Sequence, residues 1–379
     1  MKGFEILLGI IKSEGGAADA GIVTQDCLQI CRNILSGSEI CQRFFFGMGI
    51  YGIARLNSFF DPTVIEKLII NSDALDGNGE NDNNDGEAWF NQQNRIECAT
   101  LALQSLCGAL EIENAKHQKL IALNTDVVIS AAFWLARKGP EQLVKAALIL
   151  LSRIVQNNPD VACQVADMTV EVTASKSGRT HPFGTETPLL YFGWRPLLSD
   201  ERRIITVPAL LAERYIFSST TWNVPSLMTT STVSTADGDV AHGAITDPGG
   251  LSEPCLHVLE TLLRADSTTC DLMIQYILAP PPPSAMDDEN LNSSDMTALE
   301  TMKPLALILL NSLLEGSNRV LSTANLPMNI MKSEINVVER SANVLALLFI
   351  NGGQTARELS TVISTSHTSI SGNRERKKE

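Results

Sequence analysis

The stretch LVKAALILLSRIVQNNPDVACQV, residues 143–165, carries the pattern that decides the fold. Its apolar residues recur every three or four positions over about four turns, then a polar break follows, and a second amphipathic stretch begins. This pattern predicts a helix, a turn and another helix. The sequence Asn158-Pro159-Asp160 favours a new helix start, because proline fits the first helical position.

The same helix-turn-helix pattern can be read six times along the chain. The other copies begin at Asp26, Ile96, Glu253, Lys303 and Glu339. Neighbouring first helices lie about 37 to 50 residues apart where they are clear, which overlaps the period of armadillo and HEAT repeats. We therefore predict an all-α fold, an armadillo/HEAT-like right-handed α-solenoid over residues 1–363.

Composition and charge fit a helical array that binds proteins. Hydrophobic residues make up 44% of the 379 residues but aromatic residues only 5%, so the core is expected to be mainly aliphatic. The formal net charge of −14 argues against nucleic-acid binding, which needs clustered Lys and Arg. An acidic surface prefers basic partners or simply keeps the protein soluble.

Several segments have compositions that predict disorder. The first is acidic and rich in Asn and Gly, the next two are rich in Thr, Ser, Gly and Pro, the fourth contains Pro280 to Pro283, and the last is the tail. They are residues 72–88, 171–199, 223–251, 279–295 and 364–379. Between the second and third, ITVPALLAERYIF is compatible with either a helix or a strand.

Two patterns resemble binding motifs. Cys27 and Cys31 are four residues apart on one predicted helix, yet no CxxC or nearby His completes a set of metal ligands. All eight cysteines are therefore expected to be buried thiols.

Residues 47–52, GMGIYG, have the spacing of a dinucleotide-binding turn. Because a helical repeat rather than a strand precedes them, a corner between helices is the preferred interpretation.

The sequence offers no catalytic constellation. None of the histidines His117, His181, His242, His257 and His367 has a Ser, Cys or carboxylate at a spacing that implies a relay, and GxSxG, HExxH and Walker sequences are absent. We predict a protein that is not an enzyme, with no catalytic, cofactor or metal residues. Partner-binding residues stay unassigned.

Some surface features have two interpretations. Arg195 with Arg202-Arg203 forms a basic cluster that could meet an acidic partner, although solvated charge near a helix start is preferred. Pro280 to Pro283 could bind an SH3- or WW-type groove or serve as a spacer. The sequon at Asn292 matters only in the secretory lumen.

The N-terminal stretch MKGFEILLGIIKSEGG superficially resembles a secretory signal. Glu5 interrupts its short apolar run, so an amphipathic helix with one apolar face is preferred. That face is expected to contain Phe4, Ile6, Leu7, Ile10 and Ile11. Since no apolar stretch is long enough to span a bilayer, a cytosolic location is expected.

The opening FEILLGIIKSEGGAADAGIVTQDCLQICRNILSGSEICQRFFFGMG resembles the armadillo-like head of the general vesicular transport factor family of Golgi tethers. The residues 143–165 and PCLHVLETLLRADSTTCDLMIQYIL, beginning at Pro254, look like later repeats of that head. Members of the family start with more repeats and continue into a long coiled coil and an acidic tail. The chain therefore resembles a partial head or a truncated gene model.

The resemblance implies a non-enzymatic head that tethers vesicles in endoplasmic-reticulum-to-Golgi transport. The implied partners are Rab-family GTPases, other tether complexes and the SNARE machinery, with peripheral association at Golgi and vesicle membranes and a homodimeric parent protein. The alternative is a cytosolic armadillo adaptor or peptide carrier unrelated to vesicle traffic. Such carriers line their groove with repeated Asn and Trp residues, whereas Trp89, Trp134, Trp194 and Trp222 occupy no repeated position.

Overall fold

Helices dominate the part of the chain that the structure, a computed structural model, describes. The described residues are 2–62, 85–135, 141–173, 191–192, 195–196, 202–218, 250–278, 303–322 and 328–353. The chain divides into two compact units, Met1–Leu211 and Ala212–Glu379. The fold class is therefore mainly helical, as predicted, with short strands that were not predicted.

The unit Met1–Leu211 contains helices first and strands last. Its helices are α1 (Lys2–Ser13), α2 (Ile22–Leu35), α3 (Glu39–Phe46), α4 (Ile50–Asn57), α5 (Asp85–Ala109), α6 (Ala115–Leu123), α7 (Thr125–Leu135), α8 (Glu141–Val155) and α9 (Pro159–Ala166). Its strands are β1 (Thr169–Thr173), β2 (Tyr191–Phe192), β3 (Arg195–Pro196) and β4 (Arg202–Thr206), and α10 (Val207–Ser218) crosses into the second unit.

These helices form successive layers. A longer helix is followed by a short helix and then by a third: α2, α3 and α4 form one layer, and α5, α6 and α7 form the next. Helix α8 and the short α9 begin a further layer, and β1 follows them. The long helices pack in the order α2, α5, α8, while α6 packs on α9 and α4 on α7. Strand β1 contacts α7, the third helix of the layer before it.

The turns between long and short helices explain why each helix ends where it does. Gly37 after α2 and Asn157 after α8 have positive φ angles of 75° and 53°, a conformation that ends helices. The next residues, Ser38 and Asn158, each accept a hydrogen bond from a backbone N–H in the first turn of the short helix. Pro159 takes the first position of α9, as the sequence predicted.

Strands β1 and β4 are the main departure from the predicted all-α fold. They pair antiparallel, with Val170 opposite Ile205. Both of these side chains are buried, whereas the neighbouring Ile204 is 70% exposed, which is the alternation of a half-buried strand. The ambiguous stretch therefore contains both elements, β4 followed by α10. The pairing joins segments far apart in sequence, so periodicity alone could not reveal it.

The apolar face of α1 was assigned incorrectly in part. Phe4, Leu8 and Ile11 are buried, whereas Ile6 is 61% exposed and Ile10 is 37% exposed. The three buried residues follow the spacing of four and then three that one helix face requires. The prediction included every apolar residue of the run except Leu8.

The unit Ala212–Glu379 contains longer terminal helices than predicted. After the end of α10 come α11 (Ser252–Ala265), α12 (Ser267–Ile274), β5 (Ile277–Leu278), β6 (Lys303–Pro304), α13 (Leu305–Ser322) and α14 (Met328–Asn351). Strand β5 pairs with β6, and α14 packs against α11, α12 and α13. The copy at Glu253 is a helix pair, but the copy at Lys303 is one long helix, and Glu339 lies inside α14. The copy at Lys303 was thus read incorrectly as a pair, whereas the second half of the copy at Glu339 lies outside the described residues.

The predicted loops meet the described residues at their edges. Helix α5 begins at Asp85, so the acidic loop ends earlier than residue 88, and β1 extends to Thr173, past the predicted loop start at 171. Strands β2 and β3 also lie within 171–199. Residues 72–84, 279–295 and 364–379, and nearly all of 223–251, lie outside the described residues, where the predictions stand as predictions.

Candidate functional site

The cysteine pair Cys27 and Cys31 lies on the buried side of α2. Burial raises the pKa of both thiols, that of Cys31 to about 12, and the carboxylates of Asp26 and Glu14 raise that of Cys27 further. A metal ligand must be a thiolate, so these thiols are poor ligands at neutral pH. Over the described ranges, no group of three or more His, Cys, Asp or Glu could hold a metal ion.

The other cysteines serve as small core residues. Cys98, Cys107 and Cys270 are buried, and their sulfurs lie 3.7, 3.6 and 3.2 Å from the carbonyl oxygens of Ala20, Ala146 and Leu263. Burial raises the pKa of Cys98 and Cys107 to about 12. Cys41 and Cys163 are half-buried, and all eight cysteines are free. The prediction of buried thiols is confirmed for six of them.

The glycine-rich stretch is a corner between two helices. Gly47 ends α3, and Gly49, with φ of 63°, precedes the first residue of α4. A Cβ on Gly52 would lie 3.0 Å from the ring of Phe45 and 3.0 Å from the Met48 methyl group. The glycines therefore allow close helix packing, which agrees with the preferred interpretation and not with a phosphate-binding turn.

Two histidines lie within the described residues, and among those residues neither imidazole ring is hydrogen-bonded to a Ser, Thr or Cys side chain. The His117 ring stacks on Phe46 at 4.0 Å between centroids, and its pKa is lowered by burial and by Arg43. His257 lies in α11, where Thr261 Oγ1 donates to its carbonyl oxygen. The pKa of His257 is lowered by burial and then by Arg340, against opposing effects of Glu253 and Glu260.

A charged cluster in Ala212–Glu379 was not predicted. Glu260 on α11 is nearly buried and accepts from Arg264, one turn along the same helix, at 2.6 Å and from Arg340 on α14 at 2.7 Å. Arg340 also lies 3.7 Å from Glu253. The spacing of Glu260 and Arg264 was visible in the sequence, but the pairing with Arg340 depends on how α14 packs. The cluster joins two helices.

The feature that sequence reasoning missed in Met1–Leu211 is a set of bonds between layers, which we call the amide clasps. Gln42 Nε2 donates to the carbonyl oxygens of Leu35 at 2.9 Å and Gly108 at 2.8 Å, which end α2 and α5. Gln118 Nε2 donates to those of Arg153 at 2.9 Å and Gln156 at 2.8 Å. Both glutamines therefore satisfy carbonyls that a helix end leaves without intrahelical partners.

Further bonds extend the amide clasps along the same helix ends. Arg153 donates to the carbonyl oxygen of Cys107, and the backbone N–H of Gly37 donates to Glu111. Glu113 accepts from Gln156 and Asn157 at 2.6 and 2.8 Å. A sequence signal existed: Gln42 and Gln118 each follow a helix cap, Ser38 or Asn114, by four residues.

The first layer also exposes several large apolar side chains. Ile30 and Ile34, one turn apart on α2, are 44% and 37% exposed, and Ile40 and Phe44, one turn apart on α3, are 66% and 46% exposed. Monomeric surfaces tolerate single apolar residues, but grouped ones are typical of protein contacts. The arrangement is therefore suited to docking a protein rather than to enclosing a small molecule.

The remaining predicted features are placed as follows. Arg195 lies in β3, and Arg202 and Arg203 lie in β4, so these residues begin strands and not the helix that was predicted. The residues that lie outside the described part of the chain are Pro280 to Pro283, Asn292, His181, His242 and His367.

Trp134 is fully buried and its Nε1 donates to the Phe60 carbonyl oxygen at 2.7 Å, so its side chain belongs to the core. In the described part, no helix is both long and apolar enough to cross a bilayer.

Comparison with known proteins gives limited information. No protein-family model and no curated protein matches the chain. Two crystal structures, of Uso1-1 and Uso1-2, are similar to it at TM-scores of 0.41 and 0.40 and identities of 16% and 14%. The similarity covers 93% and 92% of the chain and 40% and 50% of those proteins, so the chain spans about half their length or less.

Proposed function

We propose that the chain is a non-enzymatic docking head of the vesicle-tethering class, built as an armadillo-like right-handed solenoid. The observation that carries the proposal is the repeated layer of a long and a short helix, joined to the next layer by the amide clasps. Such layers spread side chains over an extended surface instead of converging them on one point, which suits protein contacts. The stretch that resembles the Golgi tethers forms α1, α2 and α3, and the exposed apolar residues of the first layer lie on α2 and α3.

In this role the head acts in endoplasmic-reticulum-to-Golgi transport. It binds Rab-family GTPases, other tether complexes and the SNARE machinery, and it stays peripheral at Golgi and vesicle membranes. The contacts involve proteins only, with no cofactor and no chemical step. The alternative of a peptide carrier is less well supported, because the one tryptophan side chain described, Trp134, is buried and does not line a groove.

The decisive experiment is a pull-down of purified full chain against a panel of Rab-family GTPases, each loaded with a non-hydrolysable GTP analogue or with GDP. We expect at least one GTPase to be enriched in its GTP form. Equal recovery of both nucleotide forms across the panel would contradict the proposal. A perinuclear Golgi pattern of the tagged full-length protein is the expected result in cells, and a diffuse or nuclear signal would favour the carrier.

A matched pair of variants tests whether the first layer takes part in binding. Ile34→Asp changes α2 and Ile149→Asp changes α8, and the two side chains are each 37% exposed. We expect Ile34→Asp to reduce recovery of the enriched GTPase and Ile149→Asp to leave it unchanged. Equal recovery with both variants would place the contact away from α2.

A further inference from the structure

Helix α14 has a second apolar face besides the one that packs into its unit. Its core face contains Ser341, Val344 and Leu348, which are buried, and Gly352 just beyond the helix continues that buried row. A neighbouring row is formed by Met331, Ile335, Val338, Ala342, Leu345 and Phe349; Ile335 and Ala342 are exposed, and the other four are half-buried. At 100° per residue, the two rows point about 95° apart around the helix axis. We call the second row the α14 seam.

The spacing of the α14 seam is that of a coiled coil. Its residues alternate by four and three positions, and Met328 at the start of the helix continues the pattern in the sequence. A strict alternation of three and four keeps an apolar row facing one partner helix, whereas a core face alone needs no such regularity. In heptad terms, Ile335 and Ala342 occupy a positions, and Met331, Val338 and Leu345 occupy d positions.

The α14 seam matches a second copy of itself when the two helices run antiparallel. Ile335 then lies opposite Val338 of the other copy, and the long Met331 lies opposite the small Ala342. The seam is therefore self-complementary about its centre. An interface made of the same patch on both copies is the usual way in which homodimers form.

Charges beside the seam favour the same arrangement. Lys332 and Glu339 occupy the e positions of successive heptads, and both are exposed. In an antiparallel pair, e positions face e positions of the partner, so Lys332 of each copy lies near Glu339 of the other. The g positions Ser341 and Leu348 are buried within the unit, which leaves the e side as the open edge. Two opposite-charge pairs thus flank one antiparallel seam.

We propose that α14 forms an antiparallel homodimer with α14 of a second copy of the chain. The proposal concerns self-association and does not depend on the tethering function. It predicts a dimer whose formation depends on protein concentration and whose interface is centred between Ile335 and Val338.

The first test is the mass of the full chain in solution by analytical ultracentrifugation over a range of concentrations. We expect a monomer–dimer equilibrium for the wild type. Ile335→Asp should weaken it at least about a hundredfold, because an apolar side chain is lost from both copies at the centre. Ile350→Asp is the matched control, since Ile350 is 77% exposed and lies outside the seam. A monomer at all concentrations, or equal weakening by both variants, would overturn the proposal.

A charge exchange tests the antiparallel register. Lys332→Glu and Glu339→Lys each place like charges together and should weaken the dimer by about threefold to tenfold. The double variant should recover wild-type affinity, and so should a mixture of the two single variants, because each then meets its opposite charge in the other. Failure of the mixture to associate more tightly than either single variant would overturn the antiparallel arrangement. Circular dichroism of each variant checks that the fold is retained.

Discussion

In Met1–Leu211, the amides of Gln42 and Gln118 join the helix layers with Arg153 and two glutamates beside them, whereas in Ala212–Glu379 ion pairs join α11 to α14. In the first unit, Gln42 and Gln118 donate to backbone carbonyls at helix ends. In the second, Arg340 donates to the nearly buried Glu260. Both devices satisfy polar groups away from water, but only the second must remove two charges from water.

Because of this difference, the stability of the two units should respond differently to pH and to the loss of a side chain. The amide of a glutamine does not titrate, and its removal leaves the carbonyl oxygens that it contacts without that donor. A partly exposed ion pair contributes less than its short distance suggests, because solvent screens it. Four predictions test the comparison, beginning with the largest effect.

Replacing Gln118 by Leu should have the largest effect on stability. Two carbonyl oxygens, of Arg153 and Gln156, lose their donor, and the free energy of unfolding should fall by about 2–4 kcal/mol. Urea unfolding followed by circular dichroism measures the change. Gln142→Leu is the control, because Gln142 is exposed on α8, and its effect should stay within about 0.5 kcal/mol. Similar values for both variants would show that the amide clasps do not stabilise the layers.

Replacing Arg340 by Gln should have the next largest effect. Glu260 is 6% exposed and Arg340 31%, so removing the cation should lower the free energy of unfolding by about 2 kcal/mol, below the range for fully buried pairs. Arg264 contacts the same carboxylate but is 67% exposed. For Arg264→Gln we expect about 0.3–0.5 kcal/mol in the same assay. A larger loss for Arg264 than for Arg340 would contradict this ranking.

The helix caps offer a smaller and more direct comparison. Asn158→Ala in the first unit and Asp266→Ala in the second should each destabilise by about 1 kcal/mol at neutral pH. The pKa of Asp266 is lowered mainly by its hydrogen bond with Thr268, opposed by burial and assisted by Thr269. A carboxyl group with a lowered pKa stabilises the fold above its unfolded value of about 3.9 and loses that effect as the pH falls.

The difference between wild type and Asp266→Ala should therefore shrink as the pH falls below about 3.9, while that for Asn158→Ala stays constant. Thermal melts of the three proteins at several pH values measure this. Parallel behaviour of the two caps would mean that the charge of Asp266 has no part in its capping.

The histidines should produce the smallest effect, and they allow the two units to be compared at mild acidity. Folding lowers the pKa of both His117 and His257, chiefly by burial. The unfolded chain therefore takes up protons first as the pH falls below about 6.5, so stability is full above that value and declines below it. His117→Gln and His257→Gln should each reduce the decline between pH 7.5 and 5.5, by less than about 1 kcal/mol. An unchanged slope in both variants would contradict the direction of these shifts.

Local signals in the sequence predicted the helices best where a turn had its own chemistry. Asn158 and Pro159 marked the start of α9, and Gly37 marked the end of α2, because caps and left-handed turn residues act within a few positions. The reading failed where elements depend on distant partners. Strand β1 exists because β4 pairs with it, and the copy at Lys303 lacks a turn that would divide α13.

The sequence by itself determined that the chain is mainly helical, that most of its cysteines are core residues, and that GMGIYG is a corner between helices, since these depend on local periodicity and short-range packing. Only the tertiary structure decided that Gln42 and Gln118 join helix layers, that Arg340 meets Glu260, and that a second apolar row of α14 stays partly exposed. The physical reason is that a helix has several faces. Its sequence states which faces are apolar or polar, but only packing decides which of them meets another helix.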